Sequence, residues 1–422
     1  MGTDPNRPKI AIFGIFGAGN LGNECTLQAM LYNLRRYLPA ATFSCVCAGP
    51  VEIASAHHIS AFPIREGRLP RSNNALVRFL AKVLVGIPLE LYRWFKVLRR
   101  LAGHDMLVMT GTGMLSDLGI VPFELHYDIL RWSIAAKLCR CRLLFVSVGV
   151  GPIRHPLSRF FVKAALRLAD YRSCRDGFSK NYLESIGFKG RGDAVYPDLA
   201  FSLPRTMTAT DSHLEKQRKV IGVGLIKHSR RRGASENDEA MYQDYLAKVA
   251  AFVGWLVERN YIVRLLVGDV VYDQRARQDL RALLERAGLS CESGKIIDDP
   301  PQSVSDLLSQ LSITDIVVAS RFHNVLLALL LGKPVVAISF HEKVDALMSA
   351  VGLTEFCQDI ENIDLGKLTT QFATLEKNAE RVTLQIQRST QDYSKELDQQ
   401  YKDILKAFRV HQLLAAEPGC QP

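Results

Sequence analysis

Short apolar runs that close on glycine or on a charged residue alternate with longer amphipathic stretches along most of this chain. KIAIFGIFG (9–17) is followed by NECTLQAMLYNLRRYLP (23–39) and then by ATFSCVCAG (41–49). DMLVMTGTG (105–113) and RLLFVSVGVGP (142–152) flank FELHYDILRWSIAAKLC (123–139). Strands written almost entirely in Val, Ile and Leu are strands buried on both faces, and strands separated by helix-length segments pair in parallel. The pattern predicts an α/β chain built on doubly wound parallel sheets.

The pattern occurs twice. LPRTMTATDSHLEKQRK (203–219) is polar and without period, and the alternation resumes at VIGVGLIKH (220–228) and YIVRLLVGD (261–269). A chain of 422 residues is too long for one core. We place a Rossmann-like domain at 1–205, a linker at 206–219, a second Rossmann-like domain at 220–365, and a polar helical tail at 366–422 that folds back across them. Open parallel sheets bind ligands beyond the carboxyl ends of their strands. Two such sheets facing each other give an interdomain cleft, the glycosyltransferase-B-like arrangement.

The formal net charge of +10 favours acidic partners. The excess is diffuse, with no Lys/Arg block interleaved with aromatics, which argues against nucleic acid. Nine cysteines form no C-x-x-C pair, so a zinc site is not expected, and their odd number suggests a reducing, cytoplasmic compartment. The pairs Cys45/Cys47 and Cys139/Cys141 read as alternate, buried positions on strands. MGTDPNRPKIAIFG (1–14) has no apolar signal core. The segment 76–100 is too charged to span a bilayer, and Pro88 breaks it. It reads as amphipathic helices covering a sheet, with a basic contact at the inner face of the membrane as the alternative.

The polar residues collect at strand ends. ASRFHN (319–324) is the polar gap between the apolar runs DIVV and VLLALLLG, so Arg321, Phe322, His323 and Asn324 lie where a strand passes into a helix. Free backbone N–H groups there already favour an anion, and an arginine and a histidine strengthen the site. GIFGAGNLGNE (14–24) is a second such turn, in which Gly17, Gly19 and Gly22 let backbone approach a ligand closely. TGTGMLSD (110–117), SVGVGPI (147–153), SCRDGFSKNYLESIG (173–187) and YPDLAFSLP (196–204) supply four more. Gly17, Gly19 and Gly22 match a dinucleotide fingerprint, but no acidic residue closes the second strand, which argues against a dinucleotide.

In their order over residues 10–352 these elements resemble the polysaccharide pyruvyl transferase family. GNLGNE stands where the family has G-N-x-G-D, GTGMLSD at its triple-glycine turn, and GVGP at its I-G-P turn. SCRDGFS stands at S-x-R-D-x-x-S, PDLAF at D-P-A-F, and RFHNVLLALLLGKPVVAISFHEK at R-L-H with its downstream G-K-P and lysine. The resemblance implies phosphoenolpyruvate as donor and a sugar or lipid-linked oligosaccharide as acceptor. The product would be a cyclic pyruvate ketal, with no metal or organic cofactor. It carries donor binding and catalysis over to Arg175, Arg321 and His323, with Phe322, Asn324, His341, Lys343, Gly19, Asn20 and Gly22 around the donor. Asn23, Glu24, Thr112, Gly113, Asp117 and Asp198 are assigned to the acceptor. Asn23 stands where the family often has aspartate, so Glu24 or Asp198 is expected to supply the carboxylate.

The chemistry suits these residue types. Phosphoenolpyruvate carries a carboxylate and a phosphate, which two arginines bind by forked hydrogen bonds. Protonating its methylene carbon calls for an acid that titrates near neutrality, a role for His323 held protonated by the phosphate. Two other readings stand beside this one. A glycosyltransferase of the same architecture would hold a nucleotide-sugar diphosphate on the same basic turn. A non-catalytic envelope-polysaccharide assembly protein would retain the fold with a degenerate site. The sequence sets no oligomeric state.

Overall fold

The computed structural model describes residues 7–67, 85–116, 121–190, 193–204, 207, 218–227, 236–289 and 294–407. Two sheets carry the fold. The first contains β1 (Lys9–Phe13), β2 (Thr42–Cys47), β3 (Ser60–Pro63), β4 (Met106–Met109), β5 (Arg142–Val148), β6 (Tyr171–Cys174) and β7 (Ala194–Val195). Their order is β3-β2-β1-β4-β5-β6-β7. The second contains β8 (Val220–Leu225), β9 (Ile262–Val267), β10 (Ile296–Ile297), β11 (Ile316–Ala319), β12 (Val335–Ser339) and β13 (Cys357–Asp359), in the order β10-β9-β8-β11-β12-β13. Every pairing in both is parallel.

Helices cover both faces of each sheet, which is why β4, β8, β11 and β12 are buried along their whole length. In the first half these are α1 (Leu21–Tyr37), α2 (Pro50–His57), α3 (Ile87–Leu101), α4 (Leu125–Leu138), α5 (Pro156–Leu168) and α6 (Gly177–Ser185). In the second half they are α7 (Glu236–Glu258), α8 (Gln274–Arg286), α9 (Val304–Ser312), α10 (Phe322–Leu330) and α11 (Glu342–Ala350). Two tail helices follow, α12 (Leu365–Lys377) and α13 (Ala379–Ala407).

The apolar interior divides unequally. One cluster runs without a break from Ile10 and Leu27 of the first domain, through Leu199 and Phe201, to Ile221, Leu326 and Tyr401. The other, with Val97, Trp132 and Phe161, fills the opposite face of the first sheet beneath α3, α4 and α5. The domains are therefore joined by a shared core on one side.

Helix α13 reinforces that joint. Its Asp398 binds Arg36 and the Tyr37 hydroxyl of α1. Its buried Gln400 accepts from the Ser147 hydroxyl at 3.1 Å and donates to the Ser173 hydroxyl at 2.7 Å. Nearer its start, Gln385 donates to the Val351 carbonyl of the second domain at 2.7 Å.

Two local expectations need correction. Cys139 caps the end of α4 and Cys141 precedes β5, with Arg140 between them in the left-handed region at φ 57°. Of the two pairs, only Cys45/Cys47 sits on a strand. Pro88, within the described residues, stands in the first turn of α3 rather than breaking it, and a missing N–H costs nothing there. Residues 76–84 and most of the expected linker lie outside the described residues. No helix among the described residues is long and apolar enough to cross a membrane.

Candidate active site

The strand order reverses between β1 and β4 in the first sheet and between β8 and β11 in the second, which is where an open α/β sheet leaves a crevice. The turns that follow β1 and β9 meet there. Leu21 N–H donates to the Gly268 carbonyl at 3.0 Å and Val270 N–H to the Gly19 carbonyl at 2.9 Å. Asn20 Nδ2 donates to Asp269 Oδ2 at 3.2 Å. One step further, α1 touches the His323 ring so closely that a Cβ on Gly22 would stand 1.9 Å from Nδ1. Only glycine allows that approach.

Arg175, at the end of β6, crosses to the second domain. Its guanidinium carbon lies 4.8 Å from the centre of the Phe322 ring. The Lys343 ammonium lies 5.6 Å from the same ring and 5.7 Å from that of Phe340. His323 meets Phe322 edge to face at 5.1 Å. Arg175, Arg321, Phe322, His323 and Lys343 thus form one cluster drawn from both domains.

Each arginine is held by a buried carboxylate. Arg175 Nη1 donates to Asp198 Oδ2 at 3.2 Å, and Asp198 also accepts from the Ala200 N–H at 3.0 Å. Arg321 uses Nε and Nη2 together on Asp273, at 2.7 and 2.6 Å. Asp273 is fully buried and is itself held by the N–H groups of Lys227 and Asp269. The side-on edge of Arg321 is therefore taken, so a two-pronged grip on a ligand through that edge is corrected. Nη1 carries no hydrogen bond among the described residues.

The charges shape the imidazole. Burial pushes the His323 pKa well below its usual range, and Arg175, Lys343 and Arg321 push it further. Protein groups alone favour the neutral imidazole, and the expected imidazolium is one that needs a phosphate beside it. Burial also lowers Lys343 to about 7, with Arg175 and Arg321 adding to the effect, and no carboxylate forms an ion pair with it among the described residues. Burial and Lys343 take His341 to about 4, and its Nδ1 accepts the Lys343 N–H as the cap of α11.

Other expected site residues are used differently. Gly19 and Asn20 join the domains, and Asn20 Oδ1 caps α1 through the Asn23 N–H at 3.1 Å. Asn23 donates to the Ile15 carbonyl at 2.9 Å. Glu24 accepts from the Gly17 N–H at 2.7 Å, and burial raises it to about 7 against that bond. Asp198 positions Arg175 rather than facing an acceptor. Thr112 is buried with its hydroxyl unpartnered among the described residues, and the space beside Gly113 is open. Asn324 is fully buried with neither amide atom paired among the described residues. Asp117 lies outside the described residues. Among the described residues no group of three side chains is arranged to hold a metal ion.

Sequence reasoning missed Asp273 and Asp269. Both lie in GDVVYD (268–273), at the end of β9, and acidic residues at that strand end were the available signal.

The polysaccharide pyruvyl transferase family model matches residues 20–342, a span that holds every member of this cluster except Lys343. The chain belongs to that family. The amylovoran biosynthesis protein AmsJ of Erwinia amylovora is 20% identical, over 91% of this chain and 95% of its own length. Among solved structures, the fold is similar to a UDP-N-acetylglucosamine 2-epimerase of Listeria monocytogenes at TM-score 0.61. That pair shares 14% identity over 99% of this chain and 100% of the other. A glycosyltransferase of Rickettsia africae superposes at TM-score 0.58 and 13% identity, over 98% and 100%. At such identities the likeness concerns the fold, two parallel-sheet domains of the glycosyltransferase-B type. As a member of this family the chain is a transferase.

Proposed function

We propose that this chain transfers the pyruvyl group of phosphoenolpyruvate to two hydroxyls of a sugar in an exopolysaccharide or its lipid-linked precursor, forming a ketal. The reaction belongs to the cytoplasmic side, where the donor is made. One observation carries the reading: Arg175 from one domain meets Arg321, His323 and Lys343 from the other in a single cleft.

Arg175, Lys343 and the N-terminus of α10 bind the phosphate and carboxylate, with Arg321 contributing Nη1. A dianion among these groups reverses the balance that keeps His323 neutral, so the imidazole takes up a proton as the donor arrives. His323 delivers that proton to the methylene carbon, making the methyl group. A sugar hydroxyl adds to the electron-poor C2 and returns a proton to His323. The second hydroxyl displaces phosphate as the ketal closes, and its proton leaves on the departing phosphate. Acid catalysis of this kind contributes about 10²–10⁴-fold.

The test is phosphate release from phosphoenolpyruvate with a panel of nitrophenyl and lipid-linked sugars. His323→Ala is expected to lose turnover by about that factor while binding the donor within a few-fold. Stabilisation by UDP or GDP in a thermal shift, with none by phosphoenolpyruvate, would replace this reading with nucleotide-sugar transfer.

A further inference from the structure

The outer face of α3 is apolar where a surface helix should be polar. Ile87, Leu91 and Phe95 recur at helical spacing and are 58%, 67% and 57% exposed, with Tyr92 beside them. The inner face is fully engaged. Val97 and Leu101 are buried, and Arg93 donates to the Glu66 and Gly67 carbonyls at 2.8 and 3.0 Å.

The exposed surface continues beyond the helix. Trp94 Nε1 reaches the Tyr127 hydroxyl at 3.4 Å, and Tyr127 lies 6.2 Å from the Phe123 ring. Phe123 in turn packs on Phe161 at 5.5 Å, and Phe161 on Phe160 at 5.8 Å. Phe123 and Phe160 are themselves 59% and 57% exposed. The patch is thus aromatic and spans three neighbouring helices. Scattered single residues need no explanation, but a contiguous patch of this kind does.

Its charge names the partner. Glu90 is occupied by Arg131, Arg93 and the Tyr127 hydroxyl, and Glu66 by Arg100. Lys96, whose ammonium lies 5.3 Å from the Tyr92 ring, and Arg99 form no ion pair among the described residues and give the patch positive charge at its edge. Bulky apolar side chains bordered by cations match the boundary between acyl chains and anionic headgroups.

We infer that this face rests on an anionic bilayer, with Leu91 and Phe95 inserted and Lys96 and Arg99 on the headgroups. The inference goes beyond the proposed reaction and is independent of the donor.

The test uses the full chain and vesicles, with neither donor nor sugar present. The protein is expected to sediment with phosphatidylcholine vesicles containing phosphatidylglycerol, and less so at high salt. Leu91→Asp with Phe95→Asp should lower partitioning at least tenfold without changing the melting temperature. Lys96→Glu with Arg99→Glu should do so only for the anionic vesicles. Leu384→Asp, on the exposed side of α13, should bind as the wild type does. The inference is overturned if the wild type stays in the supernatant, or if the α3 variants sediment as it does. It is equally overturned if Leu91→Asp merely converts a dimer to monomers with vesicle binding unchanged, which would assign the face to a second copy of the chain.

Discussion

At the scale of single residues, the site is a set of cations kept in place by carboxylates that touch no substrate. Asp273 holds Arg321 by two hydrogen bonds, so Asp273→Asn should loosen the guanidinium without removing it. We expect KM for the donor to rise about tenfold or more with a smaller change in kcat, at a stability cost of about 1–3 kcal/mol. Asp273→Leu strands a buried charge and should cost about 3–5 kcal/mol, read from the denaturation midpoint. Lys343 gives a pH signature. Below about pH 7 it is already charged; above that, binding an anion requires it to take up a proton. Donor affinity measured by calorimetry should therefore weaken as pH rises through 7, by up to about tenfold per unit. Lys343→Arg should remove the break near pH 7 and leave only the slope that comes from proton uptake by His323. The arginines and the histidine were legible in the sequence because such groups rarely interrupt an apolar run without a purpose. Their carboxylate partners were not. Asp198 lies 23 residues from Arg175 and Asp273 lies 48 from Arg321, and the tertiary fold alone pairs them.

At the scale of elements, both sheets were readable because burial on two faces writes an uninterrupted apolar run. Short connections were less so. Cys139 and Cys141 mimic strand alternation, yet a left-handed residue between them ends a helix. What no pattern announces is how near two elements come. The backbone of α1 at Gly22 takes the place a side chain would need beside His323. Gly22→Ala should therefore force α1 and α10 apart. Activity is expected to fall at least a hundredfold, since displacements of about 1 Å cost that much. Circular dichroism should stay unchanged, because helices accept alanine readily.

At the scale of the whole molecule, the domains are held by backbone bonds at the cleft, a shared core behind it and α13 across both. Gln400 carries much of the polar part of that grip. Gln400→Leu leaves the hydroxyls of Ser147 and Ser173 buried without their partner and should destabilise the protein by about 1–3 kcal/mol in urea titration. The sequence allowed a returning tail, since its helices are long and polar, but not its seat, which is set by scattered contacts such as Gln400 on two strands of the first sheet and Asp398 on α1.

That seat has a consequence for how the protein is made. The surfaces of β5 and β6 that receive Gln400 leave the ribosome more than two hundred residues before it does. At about 5–20 residues per second the first lobe waits at least ten seconds with those hydroxyls and the neighbouring apolar surface uncovered. Nascent chains of this protein should therefore call on chaperones until the last helix emerges.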